Sequence, residues 1–177
     1  MKTLEIKVNG ELKEFSLPEK WNEITVETYQ KITDIDTELR GVFLSIELVS
    51  IVTGLSRDLI DDLDIEDFNL ILDTMNFLNR DVPKLPKKSV KIDGDTYHIK
   101  KDFNKFKVGE IASIDMILSE AEGNFYKVMP KLLCVYLRKA GEEKFDSEFL
   151  SREELFKKLP ITDVIDLFFH STDGKES

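Results

Sequence analysis

The sequence predicts an α+β fold that is mainly helical, with about seven helices and two β-hairpins that can combine into one small antiparallel sheet. Three observations lead there. Apolar residues recur at i, i+3, i+4 spacing through most of the chain. Two short alternating runs flank an Asn-Gly step and an Asp-Gly step, the residues that a type I′ turn requires. A content of 41% hydrophobic residues, 12 Phe among them, lets a chain of 177 residues build a substantial core.

The elements follow in order. Leu4, Ile6 and Val8 alternate before Asn9-Gly10, and a second run reaches Phe15 and Leu17. Leu12 falls on the opposite face. Trp21 to Ile24 is a connector, and Thr25 is placed to cap a helix carrying Val26, Tyr29 and Ile32. The next helix runs roughly from Thr37 to Thr53, with Leu39, Val42, Phe43, Ile46 and Val49 on one face and Gly54 to end it. Ser56 caps a short helix through Ile60. Asp64 caps another, with Ile65, Phe68, Ile71, Leu72, Met75 and Leu78 as its buried stripe.

Pro83 and Pro86 suit neither helix nor central strand, so residues 81–88 read as a boundary. It separates a hairpin plus helices (1–82) from a second hairpin plus helices (83–177), with one compact domain as the alternative. In the second hairpin Val90, Ile92, Tyr97 and Ile99 share one face, and Lys91, Thr96 and His98 the other. Val108, Ile111, Ile114 and Leu118 make a helical stripe. Phe125, Met129, Leu132, Leu133 and Tyr136 make another, ended by Gly141. Ser151 with Glu154 matches a capping box before Leu155, Phe156 and Leu159. Asp163 opens a last helix with Val164, Ile165, Phe168 and Phe169, and a polar tail covers residues 171–177. The segments starting at Ile6 and Val90 also echo each other position by position. Either the unit is duplicated, or two unrelated hairpins use the same turn chemistry.

Composition narrows the function. The 25 basic and 35 acidic residues leave a net charge of −10, which argues against nonspecific nucleic-acid binding. One cysteine excludes an internal disulfide and fits a reducing compartment. The charged start, MKTLEIKVNGELKEF, lacks the apolar core of a signal peptide, and no stretch is apolar enough to span a bilayer. The reading is a cytoplasmic protein that does not enter membranes.

Candidate chemistry is sparse. Cys134 with His98 or His170 would be a nucleophile–base pair, but Cys134 lies between Leu133 and Val135 in an apolar helix. Asp58, Asp61, Asp62, Asp64, Glu66, Asp67 and Asp73 form an acidic run. Its likeness to a calcium loop fails where glycine and a bidentate glutamate are needed, at Asp67 and Asp73. Helix caps and a solvated face that attracts a basic partner explain the run better. No phosphate loop, dinucleotide fingerprint, zinc motif or nucleophile elbow occurs. No catalytic residue, cofactor or metal is therefore assigned.

Residues 84–107 have the opposite charge: eight lysines (84, 87, 88, 91, 100, 101, 105, 107) face three aspartates, a balance of +5. Phe103 and Phe106 interleave with Lys100, Lys101 and Lys105. Lysines can track phosphates while aromatics stack bases, which makes this the nucleic-acid-like stretch. Alternatively the aromatics anchor the core and the lysines are solvated, or the segment pairs with the acids at 58–73 in the same or a neighbouring copy.

The order of features carries a resemblance. Trp21-x-Glu-Ile-Thr25 opens a helix with Tyr29 and Ile32. Ile51-Val-Thr-Gly-Leu-Ser56 precedes an acidic helix ending in Phe77-Leu78. The Val90-Lys-Ile-Asp-Gly94 hairpin with Tyr97 and the Val108-Gly-Glu110 helix start follow. Leu132-Leu-Cys-Val-Tyr-Leu-Arg138 stands before a Gly-Glu-Glu loop, and Phe168-Phe169 comes near the end. This resembles the small α-rich tail-assembly and baseplate-associated proteins of tailed bacteriophages. The resemblance implies a non-enzymatic role as a tail assembly chaperone or as a small neck, ring or baseplate component. Its partners would be other phage structural or assembly proteins, or further copies of itself, in the host cytoplasm or the virion. The residues expected to meet a partner are Trp21 as an exposed aromatic, Asp61, Asp62 and Asp64, and Lys100, Lys101, Phe103, Lys105 and Phe106. The alternative is an adaptor touching nucleic acid through the 84–107 hairpin.

Overall fold

The computed structural model describes residues 1–8, 10–142, 145 and 148–169, and over them the chain is α+β. Strands β1 (Lys2–Val8) and β2 (Glu11–Leu17) form the first hairpin. Leu4, Ile6 and Val8 point inward with Leu17, and Leu12 stands outside, as the alternation predicts. Strands β3 (Ser89–Ile92) and β4 (Asp95–Ile99) form the second. Its register pairs Ile92 with Asp95 and Val90 with Tyr97. Asp93 and Gly94 both have positive φ, 48° and 83°, as a type I′ turn demands.

The hairpins do not join into one sheet. β5 (Leu137–Lys139) takes the open edge of β4 and makes a three-stranded sheet. The inner face of β1–β2 packs instead on helices α2 (Gly41–Thr53) and α4 (Ile65–Thr74). β5 also corrects the expected helix end. Helix α6 (Met129–Tyr136) stops at Tyr136 because the next three residues exchange ladder bonds with β4. Gly141, with φ of 86°, lies in the turn beyond.

Other caps match their residues. Thr25 accepts from the Thr28 N–H at the start of α1 (Val26–Thr33), and Ser56 accepts from the Leu59 N–H at the start of α3 (Arg57–Asp61). Gly54 ends α2 in the left-handed region at φ 74°. Gly41, at φ 58°, also makes α2 start later than the periodicity suggests, so Leu39 lies outside it. The expected capping box at Ser151 does not form. Residues 149–152 make a 3₁₀ turn, and α7 (Glu153–Phe156) begins after them without a side-chain cap.

One core cluster joins Trp21, Ile24 and Val26 to Val90, Tyr97, Met129, Leu133, Phe156 and Leu159. It therefore contains residues from both sides of the proline-marked segment. The backbone reinforces it: the Val26 N–H donates to Leu159 O at 2.9 Å, and the Ile161 N–H to Ile24 O at 2.8 Å. Beyond this crossing lie the short helices α8 (Ile161–Val164) and α9 (Asp166–Phe169). A second cluster holds β1–β2 against α2, α3 and α4 through Val49, Ile60, Phe68, Ile71 and Met75. A third lies between α5 (Val108–Ser119) and α6, around Ile114, Ile117 and Leu132.

Trp21 is not the exposed aromatic the sequence suggested. It is 8% exposed. Its indole N–H donates to Arg80 O at 3.1 Å, and its ring meets Tyr29 and Phe77 edge-on at 5.8 and 5.5 Å. An amphipathic ring with its one donor satisfied gains most from burial. The stripe of α5 holds at Ile111 and Ile114 and gains Ile117, but its ends do not face inward: Val108 is 87% exposed and Leu118 41% exposed.

Phe156 is fully buried and packs edge-to-face on Tyr97 at 5.1 Å. Phe156→Ala is expected to cost about 4 kcal/mol in chemical denaturation, against about 0.5 kcal/mol or less for Leu12→Ala on the outer face of the first hairpin. Comparable losses for the two variants would contradict this core.

Candidate functional site

The basic segment is built into the fold through carboxylates that are nearly removed from water. Glu110, in the first turn of α5, is 2% exposed. Lys100 donates to one of its oxygens at 2.5 Å, the Lys107 N–H to the same oxygen at 2.7 Å, and Arg138 to the other at 2.7 Å. Burial alone would raise this carboxyl, but these donors outweigh it and hold it below the usual glutamate range. Asp166, 3% exposed in α9, accepts from Lys101 at 2.8 Å. Lys87 pairs with Asp163 in α8, and Lys105 with Asp102 at 3.4 Å. A buried carboxylate without such partners would be strongly unfavourable, so Lys100 and Lys101 are structural, whereas the Lys105–Asp102 pair lies in water.

The aromatics of the segment are also engaged. Phe103 stacks on Phe106 at 5.3 Å, and both meet Tyr136 of α6 edge-on. The Lys100 ammonium lies 4.6 Å from the Phe106 ring centre. Phe103 keeps half its surface in water. An open groove of about 780 Å³ runs past Pro86, Lys88, His98, Lys100 and Lys105. Of the cations lining it, Lys88 alone has no ion pair among the described residues. Among the described residues, Lys87, Lys100, Lys101 and Lys105 thus pair with Asp163, Glu110, Asp166 and Asp102 in the same chain, and none of the four pairs with the acids at 58–73.

Cys134 is buried, its thiol donates to Pro130 O at 3.3 Å, and burial pushes it up to about 12. A thiol held protonated in this way is a poor nucleophile at neutral pH. His98 is exposed on the hairpin's outer face, and His170 lies outside the described residues.

The acidic segment stays in solvent. Asp61 pairs with Arg57 within α3 at 3.3 Å, while Asp62 and Asp64 are exposed and have no ion pair among the described residues. Beside them the structure exposes a surface that sequence reasoning placed in the core. Eight of the thirteen residues of α2 are large and apolar, yet Val49 is the one residue of the helix that is fully buried. A helix apolar on all sides normally lies inside a protein. Here Val42 is 54% exposed and Phe43 59% exposed, and Ile65 at the start of α4 is 67% exposed. A hollow of about 180 Å³ between α2 and the α3–α4 turn is lined by Val42, Ile46, Leu63, Ile65 and Asp61. A second, of about 420 Å³ on the other flank of α2, is lined by Ile35, Leu39, Ile51, Asp34, Asp36, Glu47 and one cation, Lys31. Phe43 stands on the ridge beside them. The sequence signal was present in Leu44, Leu48 and Ile51, which are apolar but off the predicted stripe.

No family model, curated protein or solved structure matches the chain. Among the described residues, no helix is long and apolar enough to cross a membrane, and no group of His, Cys, Asp and Glu is arranged to hold a metal ion.

A carboxylate whose pKa is lower folded than unfolded stabilises fully above the unfolded value and loses that contribution as pH falls through the folded value. The thermal midpoint should therefore fall below about pH 4.5, the ordinary Glu value. Glu110→Gln should lower stability by about 3 kcal/mol at neutral pH and make that acid limb shallower. Thermal melts of both proteins from pH 3 to 8 check this, and identical acid limbs would contradict it.

Proposed function

We propose that this chain is a non-enzymatic protein–protein interaction protein that serves in bacteriophage tail assembly or virion structure. The observation that carries the interaction role is the open face of α2. Val42, Phe43 and Ile65 are large apolar residues left side by side in water, and contiguous apolar surface of this kind marks an interaction site. The phage setting rests on the resemblance spread along the chain, from the Trp21 entry to Phe168-Phe169. Its partners would be other phage structural or assembly proteins met in the host cytoplasm, with retention in the virion as a further possibility.

The reading of 84–107 as a nucleic-acid contact draws less support. Lys100, Lys101 and Lys105 are compensated by Glu110, Asp166 and Asp102, and Phe106 is packed against Tyr136. Cations already neutralised add little to phosphate binding.

Two measurements test the proposal. Genes flanking this one should encode tail tube or tape-measure proteins; a metabolic neighbourhood would sink the phage setting. When those proteins are co-expressed with the chain, a Phe43→Ser/Ile65→Ser variant should lose the complex while keeping its thermal midpoint within about 3 °C, because both positions are exposed. Salt-steep binding of a labelled oligonucleotide that is abolished by Lys88→Glu/Lys91→Glu would instead favour nucleic acid.

A further inference from the structure

We infer that the open face of α2 receives a basic amphipathic helix from a partner protein, its apolar stripe on Val42 and Phe43 and its lysines or arginines against the surrounding carboxylates. This deepens the interaction role proposed above and rests on it.

Shape is the first argument. α2 presents a ridge flanked by two hollows, and side-chain ridges of one helix seat in the grooves of another. Thirteen residues of helix run about 20 Å, so a partner segment of three to four turns covers the face. The recognition mode is a helix laid in a groove, with anchors at i, i+3, i+4 and i+7.

Charge is the second. Residues 34–66, which carry the ridge and both rims, hold nine carboxylates (34, 36, 38, 47, 58, 61, 62, 64, 66) and two arginines (40, 57). Arg57 is already spent on Asp61, and Lys127 from outside the segment pairs with Asp34 at 3.2 Å, which leaves most of the nine carboxylates without an ion pair among the described residues. A partner with acidic or neutral flanks would bring like charge to this rim or leave its carboxylates uncompensated, while basic flanks are attracted.

The charge argument also weighs against the simplest occupant. A second copy would have to offer its own basic segment, 84–107. There Lys87, Lys100, Lys101 and Lys105 are held by Asp163, Glu110, Asp166 and Asp102 of the same chain. Four of that segment's eight lysines are thus engaged within their own chain, so a second copy offers a depleted supply of cations and a different, basic protein is the better complement.

The test uses the whole chain and a fluorescent peptide of about 18 residues, or five helical turns, made of Leu and Lys, with Leu at i, i+3, i+4 and i+7. Its order-scrambled form and a Leu/Glu version with the same pattern are the controls. Anisotropy should show micromolar binding of the Leu/Lys helix and at least tenfold weaker binding of both controls. Phe43→Ser should weaken the complex at least tenfold. Asp61→Asn/Asp62→Asn/Asp64→Asn should weaken it several-fold and flatten its salt dependence, while Lys88→Glu/Lys91→Glu should leave it unchanged. No binding, equal binding of the scrambled peptide, or indifference to Phe43→Ser would overturn the inference. Sedimentation showing a dimer that Phe43→Ser dissolves would also overturn it, because a second copy would then be the occupant. None of these results touches the gene neighbourhood or the co-expressed complex, on which the broader proposal stands or falls separately.

Discussion

The crossing of residues 24–27 over 157–161 is the constraint from which the rest of the arrangement follows. Thr25 and Pro160 form an isolated antiparallel bridge. The neighbouring amides supply its bonds: Val26 to Leu159, Glu27 to Lys157, and Ile161 to Ile24. Proline is tolerated there because the donors come from other residues. The crossing places Trp21, Ile24 and Val26 against Phe156, Leu159 and Ile161, so segments more than 130 residues apart share one dry core. Thr25 has two roles in it, bridging Pro160 through its backbone and capping α1 through its hydroxyl. α2 touches α1 and reaches the first core through Val52, and α2, α3 and α4 close against the β1–β2 ribbon on their other side. A two-stranded ribbon covers one side of a helix, and the far side of α2 is left open.

The charges divide along the same line. Glu110 and Asp166 are buried where α5 and α9 meet the second hairpin, and each needs a cation close by. Lys100, Arg138 and Lys101 answer that need. Half of the lysines in the basic stretch are thereby paired inside their own half of the chain. Around α2 only Asp61 and Asp34 have a cation partner among the described residues, Arg57 and Lys127, so much of the net charge of −10 stays on the face that also exposes apolar surface.

Local signals in the sequence were legible wherever the backbone itself sets them. Asp93-Gly94 specified both the turn and the register of the second hairpin, and Thr25, Ser56 and Gly54 marked their helix ends. What was not legible depends on partners distant in sequence. Leu137 to Lys139 continue a helical apolar pattern and become strand because β4 offers an unpaired edge. α5 is apolar on most sides, so its periodicity cannot select Ile114 and Ile117 over Val108 and Leu118 as the buried pair. The functional surface was hidden for the same reason. Asp61, Asp62 and Asp64 were read from charge alone, whereas Val42 and Phe43 beside them were assigned to the core because they are apolar. The lysines were visible as a cluster, but the buried carboxylates that neutralise them lie up to 65 residues away.

An exposed apolar ridge is a hazard for any protein, since identical faces in solution can bury it against each other. The acidic rim supplies a physical restraint. Two copies meeting at α2 would bring two sets of carboxylates together, and like-charge juxtaposition opposes that encounter. The same rim steers a cationic partner toward the ridge before any apolar contact forms. Affinity then comes from burying Val42, Phe43 and Ile65, and selectivity from the surrounding charge. Specificity of this kind is a difference between a permitted and a penalised partner, and it needs both elements on one surface. A neutral rim around the same ridge would keep the affinity and lose the discrimination. An acidic rim without the ridge would attract cations without holding them. In the function we propose, the juxtaposition at α2, more than either the acids or the apolar residues alone, makes this face a binding site.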